Sequence, residues 1–167
     1  AFYGYTMCYR ETGDPKYLQQ AEKVAHWLFA HPNMPKDLIP YWDFDAPNIP
    51  NEPRDVSAAT VIASGLLELS TYSNQGKDYL MKAQTILSNL IDGYMSAPNK
   101  NKGFILLHST GSKPSNTEVD KPLSYADYYF LEALHRQEEL QSGKVQSDLV
   151  RKNPAGQLIC FPDAQGN

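Results

Sequence analysis

The sequence predicts an all-α fold of paired inner and outer helices with one short strand-like segment, and two observations predict it. Helical stretches that are apolar on nearly every side alternate with stretches that are apolar on one face only. A helix of the first kind is buried all round, whereas one of the second kind lies at the periphery. Helix starts and stops are also marked by Asp-Pro, Pro and Ser/Asn/Gly clusters between these stretches. The rhythm buried, peripheral, buried, peripheral is what concentric helical layers produce, with an inner ring enclosed by an outer one.

Ala1 to Arg10 is apolar and aromatic and reads as a buried helix that is entered partway, so the true N-terminus is expected to lie upstream. Gly4 in its middle costs a helix about 1 kcal/mol unless close packing requires it. Asp14 and Pro15 supply an N-cap and a first helical residue. Leu18, Ala21, Val24, Ala25, Leu28 and Phe29 then follow helical spacing, with Lys16, Gln19, Gln20, Glu22 and Lys23 on the other face, until Pro32 ends the helix. Asp55 caps the next helix, whose Val56, Ala59, Thr60, Ile62, Ala63, Leu66, Leu67 and Leu69 face almost every direction, with Glu68 its only charge. Ser73 to Gly76 breaks the chain before a one-sided helix carrying Tyr79, Leu80, Ala83, Ile86, Leu87, Leu90, Ile91 and Tyr94. Gly103 to Ser109 is the strand-like run, and Thr110 to Lys121 is a polar loop. Ser124 to about Gln141 gives a final buried helix, with Tyr125, Tyr128, Tyr129, Leu131 and Leu134 on its apolar faces. Residues 1–144 form one helical domain in this reading, and residues 145–167, without periodicity and with an Asn153-Pro154 turn signal, form an irregular tail of unknown role.

With 167 residues and 41% hydrophobic content the chain suffices for one modest domain. A net charge of -4 and the lack of any basic block argue against nucleic acid as a partner. No apolar run approaches the ~20 residues that span a bilayer, so no membrane partner is expected. Cys8 and Cys160 lie far apart, form no metal or redox motif and are expected to be buried free thiols. Neither a metal nor another cofactor is expected, because no Cys/His or acidic constellation is present.

Candidate chemistry concentrates between Tyr41 and Leu69. Pro40, Pro47, Pro50 and Pro53 stiffen a loop that carries Tyr41, Trp42 and Phe44 with Asp43 and Asp45 between them. In an extended segment the two aspartates point one way and Trp42 and Phe44 the other. Rings and carboxylates together suit a sugar, which offers hydroxyls at its edge and C–H groups on its face. Each residue has two readings. Trp42 stacks on a sugar or anchors the loop; Asp43 and Asp45 act on a ligand or satisfy turn amides. Arg54 binds a substrate carboxylate or pairs with Asp43, Asp45 or Asp55. His108 donates to a sugar hydroxyl or is structural. Ser112, Lys113, Ser115, Asn116 and Lys121 form either an anion-reading rim or a solvated loop, and His26 and His31 are expected to face solvent.

The segments YWDFDAP, PRDVSAATVIASGLLEL and SYADYYFLEAL, in that order, resemble the C-terminal part of the unsaturated glucuronyl hydrolases, glycoside hydrolase family 88, over roughly Ala1 to Gly143. The resemblance implies a partial (α/α)6 toroid and an unsaturated oligosaccharide substrate released by polysaccharide lyases. It implies hydration of the C4=C5 double bond with an aspartate as acid and base. The family's catalytic aspartates lie upstream of the position of Ala1, so none is expected in this chain, with Asp43 and Asp45 the weak internal candidates. Within the DYY segment Tyr128, rather than Tyr129, is implied as a cleft residue, with core packing the alternative. About five helices make an open part of a ring, whose edges call for the missing N-terminal half or for self-association. The implied source is bacterial, periplasmic or cytoplasmic, and soluble. The rival reading is a non-catalytic helical-repeat module that binds a glycan or protein, which would show a repeating signature that these helix pairs lack.

Overall fold

The computed structural model describes residues 1–143; the tail at 145–167, with Asn153-Pro154 and Cys160, lies outside the described residues. Five α-helices account for the regular structure: α1 (Phe2–Thr12), α2 (Pro15–Ala30), α3 (Val56–Leu69), α4 (Gly76–Tyr94) and α5 (Ser124–Gln141), with a short 3-10 turn at Asn101–Gly103. Among the described residues there is no sheet, and extended pairing is confined to isolated bridges.

The local signals in the sequence operate as written. Gly13 ends α1 in the left-handed region at φ 67°, and its N–H donates to the Tyr9 carbonyl at 2.8 Å. Asp14 accepts the Lys16 amide at 3.0 Å, and Pro15 opens α2. Asp55 accepts the Ser57 amide at 3.0 Å and so starts α3. Every residue of α3 except Ala58 and Val61 is buried, which makes it the central helix, packed between α4 and α5 and touched by α1. α2 and α4 are one-sided, burying Ala21, Ala25 and Leu28 in the first and Tyr79, Ala83, Ile86, Leu87 and Leu90 in the second.

Several expectations are corrected. α1 buries only Phe2 and Thr6, and α5 only Ala126, Phe130, Ala133 and Arg136, while Tyr125, Tyr128 and Leu131 are exposed. These two helices carry apolar residues for two faces but meet neighbours on one side among the described residues. Ile91 of α4 is likewise exposed. Gly4 has no atom near the position of an added Cβ; the close approach is at Gly65, where a Cβ would lie 2.9 Å from the Phe2 ring. Gly103 to Ser109 is not a strand, because Lys102, Gly103 and His108 all have positive φ and only Leu106 and Ser109 make bridges. Cys8 is exposed rather than buried.

The single charge of α3 meets two cations. The Glu68 side chain is 3% exposed and accepts from Arg10 of α1 at 3.0 Å and from Arg136 of α5 at 3.1 Å. Arg136 also donates to the Ser64 carbonyl at 2.8 Å and lies 3.6 Å from Glu132. Tyr3 donates to Glu132 at 3.1 Å, and the Ser64 hydroxyl donates to the same carboxylate. Burial, opposed by Arg136 and reinforced by Glu132, pushes the Tyr3 hydroxyl up to about 12.

Removing one member of such a buried set strands its partners, which typically costs about 3 kcal/mol. Glu68→Leu is therefore expected to destabilise the chain by about that amount in urea unfolding, and adding Arg136→Met is expected to return part of the loss. A double variant weaker than the single one by the full cost of Arg136→Met would contradict this coupling.

Candidate functional site

The helix connections are unequal, and the inequality places the site. Short turns join α1 to α2 and α3 to α4, whereas residues 31–55 and 95–123 lead into the N-terminal ends of α3 and α5. The two long loops meet there. Val56 donates its amide to the His108 carbonyl at 3.2 Å, and the Thr110 hydroxyl donates to the Arg54 carbonyl at 2.9 Å.

Each loop is held by side chains rather than by a sheet. In the first, Tyr41 bridges Arg54, with Trp42 N–H on the Pro53 carbonyl at 3.1 Å and Asp55 N–H on the Pro40 carbonyl at 2.9 Å. Inside it the Ile49-Pro50 bond is cis. In the second, Asp127 at the start of α5 accepts the amides of Ile105 at 2.9 Å and Leu106 at 3.0 Å. Bridges between Ser109 and Lys121 and between Ser112 and Thr117 fold the remainder into a narrow finger. Asn116, Glu118 and Asp120 take left-handed turns within it.

Three groups of side chains stand on this scaffold. In the first, Trp42 donates its indole N–H to Glu52 at 2.9 Å, Lys113 also donates to Glu52, and the Lys113 ammonium lies 5.3 Å from the Trp42 ring centre. In the second, Arg54 stacks on Tyr41 at 4.6 Å and pairs with Asp37 at 3.1 Å, and Tyr94 donates to the other Asp37 oxygen at 3.2 Å. The Tyr94 ring meets His108 edge-on, and His108 Nδ1 lies 2.6 Å from Asp120 Oδ1, so that Nδ1–H donates to the carboxylate. The third group is Phe44 packed on His31 at 4.8 Å and on Trp27, with Asp45 3.9 Å from His31.

The structure thus joins Arg54 to His108 through Asp37 and Tyr94, and joins Trp42 to Lys113 through Glu52. Trp42 and Phe44 enter different groups, because the turn at Phe44 and Asp45 breaks the extended alternation. Asp43 accepts the Asp45 amide at 2.9 Å and serves the turn. Arg54 pairs with Asp37 instead of Asp43, Asp45 or Asp55: its bridge to Tyr41 lays it beside the Asp37 to Ile39 backbone, where the Ile39 carbonyl also accepts from it. His31 is packed under Phe44 with its side chain 12% exposed and does not face solvent. His108 is not a lone imidazole. Tyr128 belongs to none of the three groups; it is 61% exposed on α5 and leans edge-on against Tyr129, which in turn meets Tyr3.

Sequence reasoning missed Glu52, Asp37 and Asp120. All three sit in irregular loops where no periodicity marks burial. The one available signal for Glu52 was a carboxylate enclosed by Asn51 and Pro53 in a proline-stiffened loop. Lys113 and the indole hold the Glu52 carboxyl below its ordinary range. Burial raises the Tyr94 hydroxyl, opposed by Arg54 and reinforced by Asp37. Among the described residues no group of three or more His, Cys, Asp and Glu could hold a metal ion, and no helix is long and apolar enough to cross a membrane.

No protein-family model matches the chain. It is 51% identical over 141 residues to an unsaturated glucuronyl hydrolase of Formosa agariphila, a match that covers 84% of this chain and 35% of that protein. Its fold superposes with a TM-score of 0.83 and 50% identity on the crystal structure of an unsaturated glucuronyl hydrolase specific for heparin, covering 84% of this chain and 38% of that one. A TM-score of 0.76 with 29% identity relates it to the unsaturated glucuronyl hydrolase of Bacillus sp. GL1, responsible for degradation of glycosaminoglycan, over 82% of this chain and 37% of that one. The chain therefore spans little more than a third of these relatives, and its helices are a partial (α/α)6 toroid.

Because the folded-state carboxyl of Glu52 is held below its ordinary value of 4.5, its contribution to stability is present above that pH and is lost as pH falls through the lower folded value. The thermal midpoint of the native chain is expected to fall more steeply below about pH 4.5 than that of Glu52→Gln, which has no proton to take up there. Parallel melting curves across that range would contradict it.

Proposed function

From its membership of the unsaturated glucuronyl hydrolase family over the residues that it shares with these relatives, we propose that the chain is the C-terminal part of such an enzyme. It supplies cleft walls and substrate contacts, and an upstream half of the toroid supplies the acid/base aspartates. The substrate class is an unsaturated glucuronyl oligosaccharide of the kind that polysaccharide lyases release. Water adds across C4=C5, the proton going to C4 and the hydroxyl to C5; the resulting hemiketal opens and the glycosidic bond is lost. On this reading the chain alone is inactive, and Asp43 and Asp45 do not stand in for the missing groups.

The observation that carries the reading is the convergence of both long loops at the starts of α3 and α5, where aromatic, cationic and imidazole groups collect at one end of the helical layers. An anionic sugar needs such company: ring faces for its C–H groups, cations for its carboxylate, and donors for its hydroxyls. Trp42 is the stacking residue in this proposal. Arg54 and His108 reach the carboxylate and hydroxyls, Tyr128 contributes from α5, and Lys113 on the finger meets a charged substituent. The exposed Tyr125 and Leu131 belong to a face of α5 that an adjoining part of the ring covers beside Tyr128.

The deciding measurement is the loss of ultraviolet absorbance of an unsaturated chondroitin or heparin disaccharide. Consumption is expected only when this chain is joined to an upstream toroid half; consumption by the chain alone would place catalysis in the 41–54 loop and overturn the division of labour. Alone, the chain is expected to scatter light as a species larger than its 18.8 kDa monomer, because its uncovered edges pair. A clean monomer would contradict that expectation.

A further inference from the structure

Glu52 carries more than its place in the loop explains. Its side chain is 1% exposed, yet it is the meeting point of two loops 61 residues apart. One oxygen accepts the Trp42 indole N–H at 2.9 Å and a Lys113 ammonium proton. The other accepts the Asn48 amide at 3.3 Å and the Asn48 side-chain amide at 3.2 Å. A carboxylate offers about four acceptor positions, and the chain itself fills all of them. Glu52 is thus in no position to take up or deliver a proton to a ligand. What it controls is the two groups that it holds. The indole is fixed by its edge, with its ring 5.3 Å from the ammonium, and Lys113 is 34% exposed, so that donors remain for an incoming anion.

We propose that Glu52 is a positioning residue that fixes the Trp42 indole and the Lys113 ammonium relative to each other, presetting the rim as an aromatic and cationic platform for an anionic sugar. The proposal rests on the reading of Trp42 as a sugar contact. Its chemistry is that of a preformed site: a flexible lysine and a loop tryptophan otherwise lose their freedom when the ligand binds, and the buried carboxylate removes that cost beforehand. The same pairing shares the Lys113 charge between Glu52 and the ligand, so the buried Glu52 carboxylate keeps its cation when the site is empty.

The test uses this chain joined to an upstream toroid half, with fluorotryptophan incorporated and the Trp42 fluorine resonance identified by its loss in Trp42→Phe. Glu52→Ala is expected to shift or broaden that resonance and to raise KM for an unsaturated disaccharide about fivefold while kcat stays within about twofold. Glu52→Gln still accepts from the indole but lacks the charge that holds Lys113. It is expected to keep the resonance in place and to raise KM, though by less than Lys113→Met, which removes the cation itself. A resonance unmoved in Glu52→Ala overturns the proposal. So does a KM raised by Trp42→Ala but not by Glu52→Ala, which removes the positioning role and leaves the sugar contact standing. A KM unmoved by Trp42→Ala removes the sugar contact itself and the proposal with it. Should Glu52→Ala fail to fold, a KM unmoved by Glu52→Gln where Lys113→Met raises it overturns the proposal alone.

Discussion

A helix buried on nearly every side cannot carry a carboxylate unless cations are brought to it, and Glu68 imposes that condition on α3. Arg10 and Arg136 meet it from α1 and α5, and each guanidinium has a further anchor, Glu11 for the first and the Ser64 carbonyl for the second. The apolar core alone would let neighbouring helices slide, since dispersion and burial are not directional. Hydrogen-bonded charges are directional. They set how α1 and α5 sit against α3, and the small residue Gly65 lets Phe2 and Tyr3 come close enough for the set to close. The side-by-side starts of α3 and α5 follow from this register, and the two long loops are mounted on those starts.

Those loops are built on a different principle. They have no sheet and little periodic structure, and their backbone groups are satisfied by a handful of side chains. Asp55 serves both the α3 cap and the Thr110 amide, and Asp127 takes two consecutive amides of the opposite loop. Aspartates that invite a catalytic reading are therefore mostly occupied with backbone. The side chains proposed to meet a ligand are those held by partners one step removed: Trp42 and Lys113 by Glu52, Arg54 by Asp37, His108 by Asp120.

How much of this was legible follows the kind of signal involved. Asp14, Pro15 and Asp55 announce helix starts through local chemistry that tertiary structure does not override, and the spacing of Ala83, Ile86, Leu87 and Leu90 fixes the buried face of α4. The one-sided burial of α1 and α5 was not legible, because residue composition reports the capacity to be covered rather than the presence of a neighbour. Within the loops, Trp42 and Arg54 stand out by type, but their partners do not. Asp37, Glu52 and Lys113 lie 10 to 71 positions from the groups that they hold, and pairing across irregular backbone leaves no period to read. The positive φ of Lys102, Gly103 and His108 erased the strand suggested by the apolar run that they bracket.

The two clamps on the second loop also bear on how such a domain can be altered. Asp127 pins Ile105 and Leu106 on one side, and the bridge between Ser109 and Lys121 closes the finger at its base. Residues 111 to 119 lie beyond both fastenings and contribute almost nothing to the packed helices. Apart from Lys113, which holds the buried Glu52, their length and composition can be exchanged as a cassette while the helical layers behind them stay unchanged. A scaffold arranged in this way separates the part that must be kept for folding from a tip that can vary, and new ligand preferences can be tried at that tip without putting the helical layers at risk.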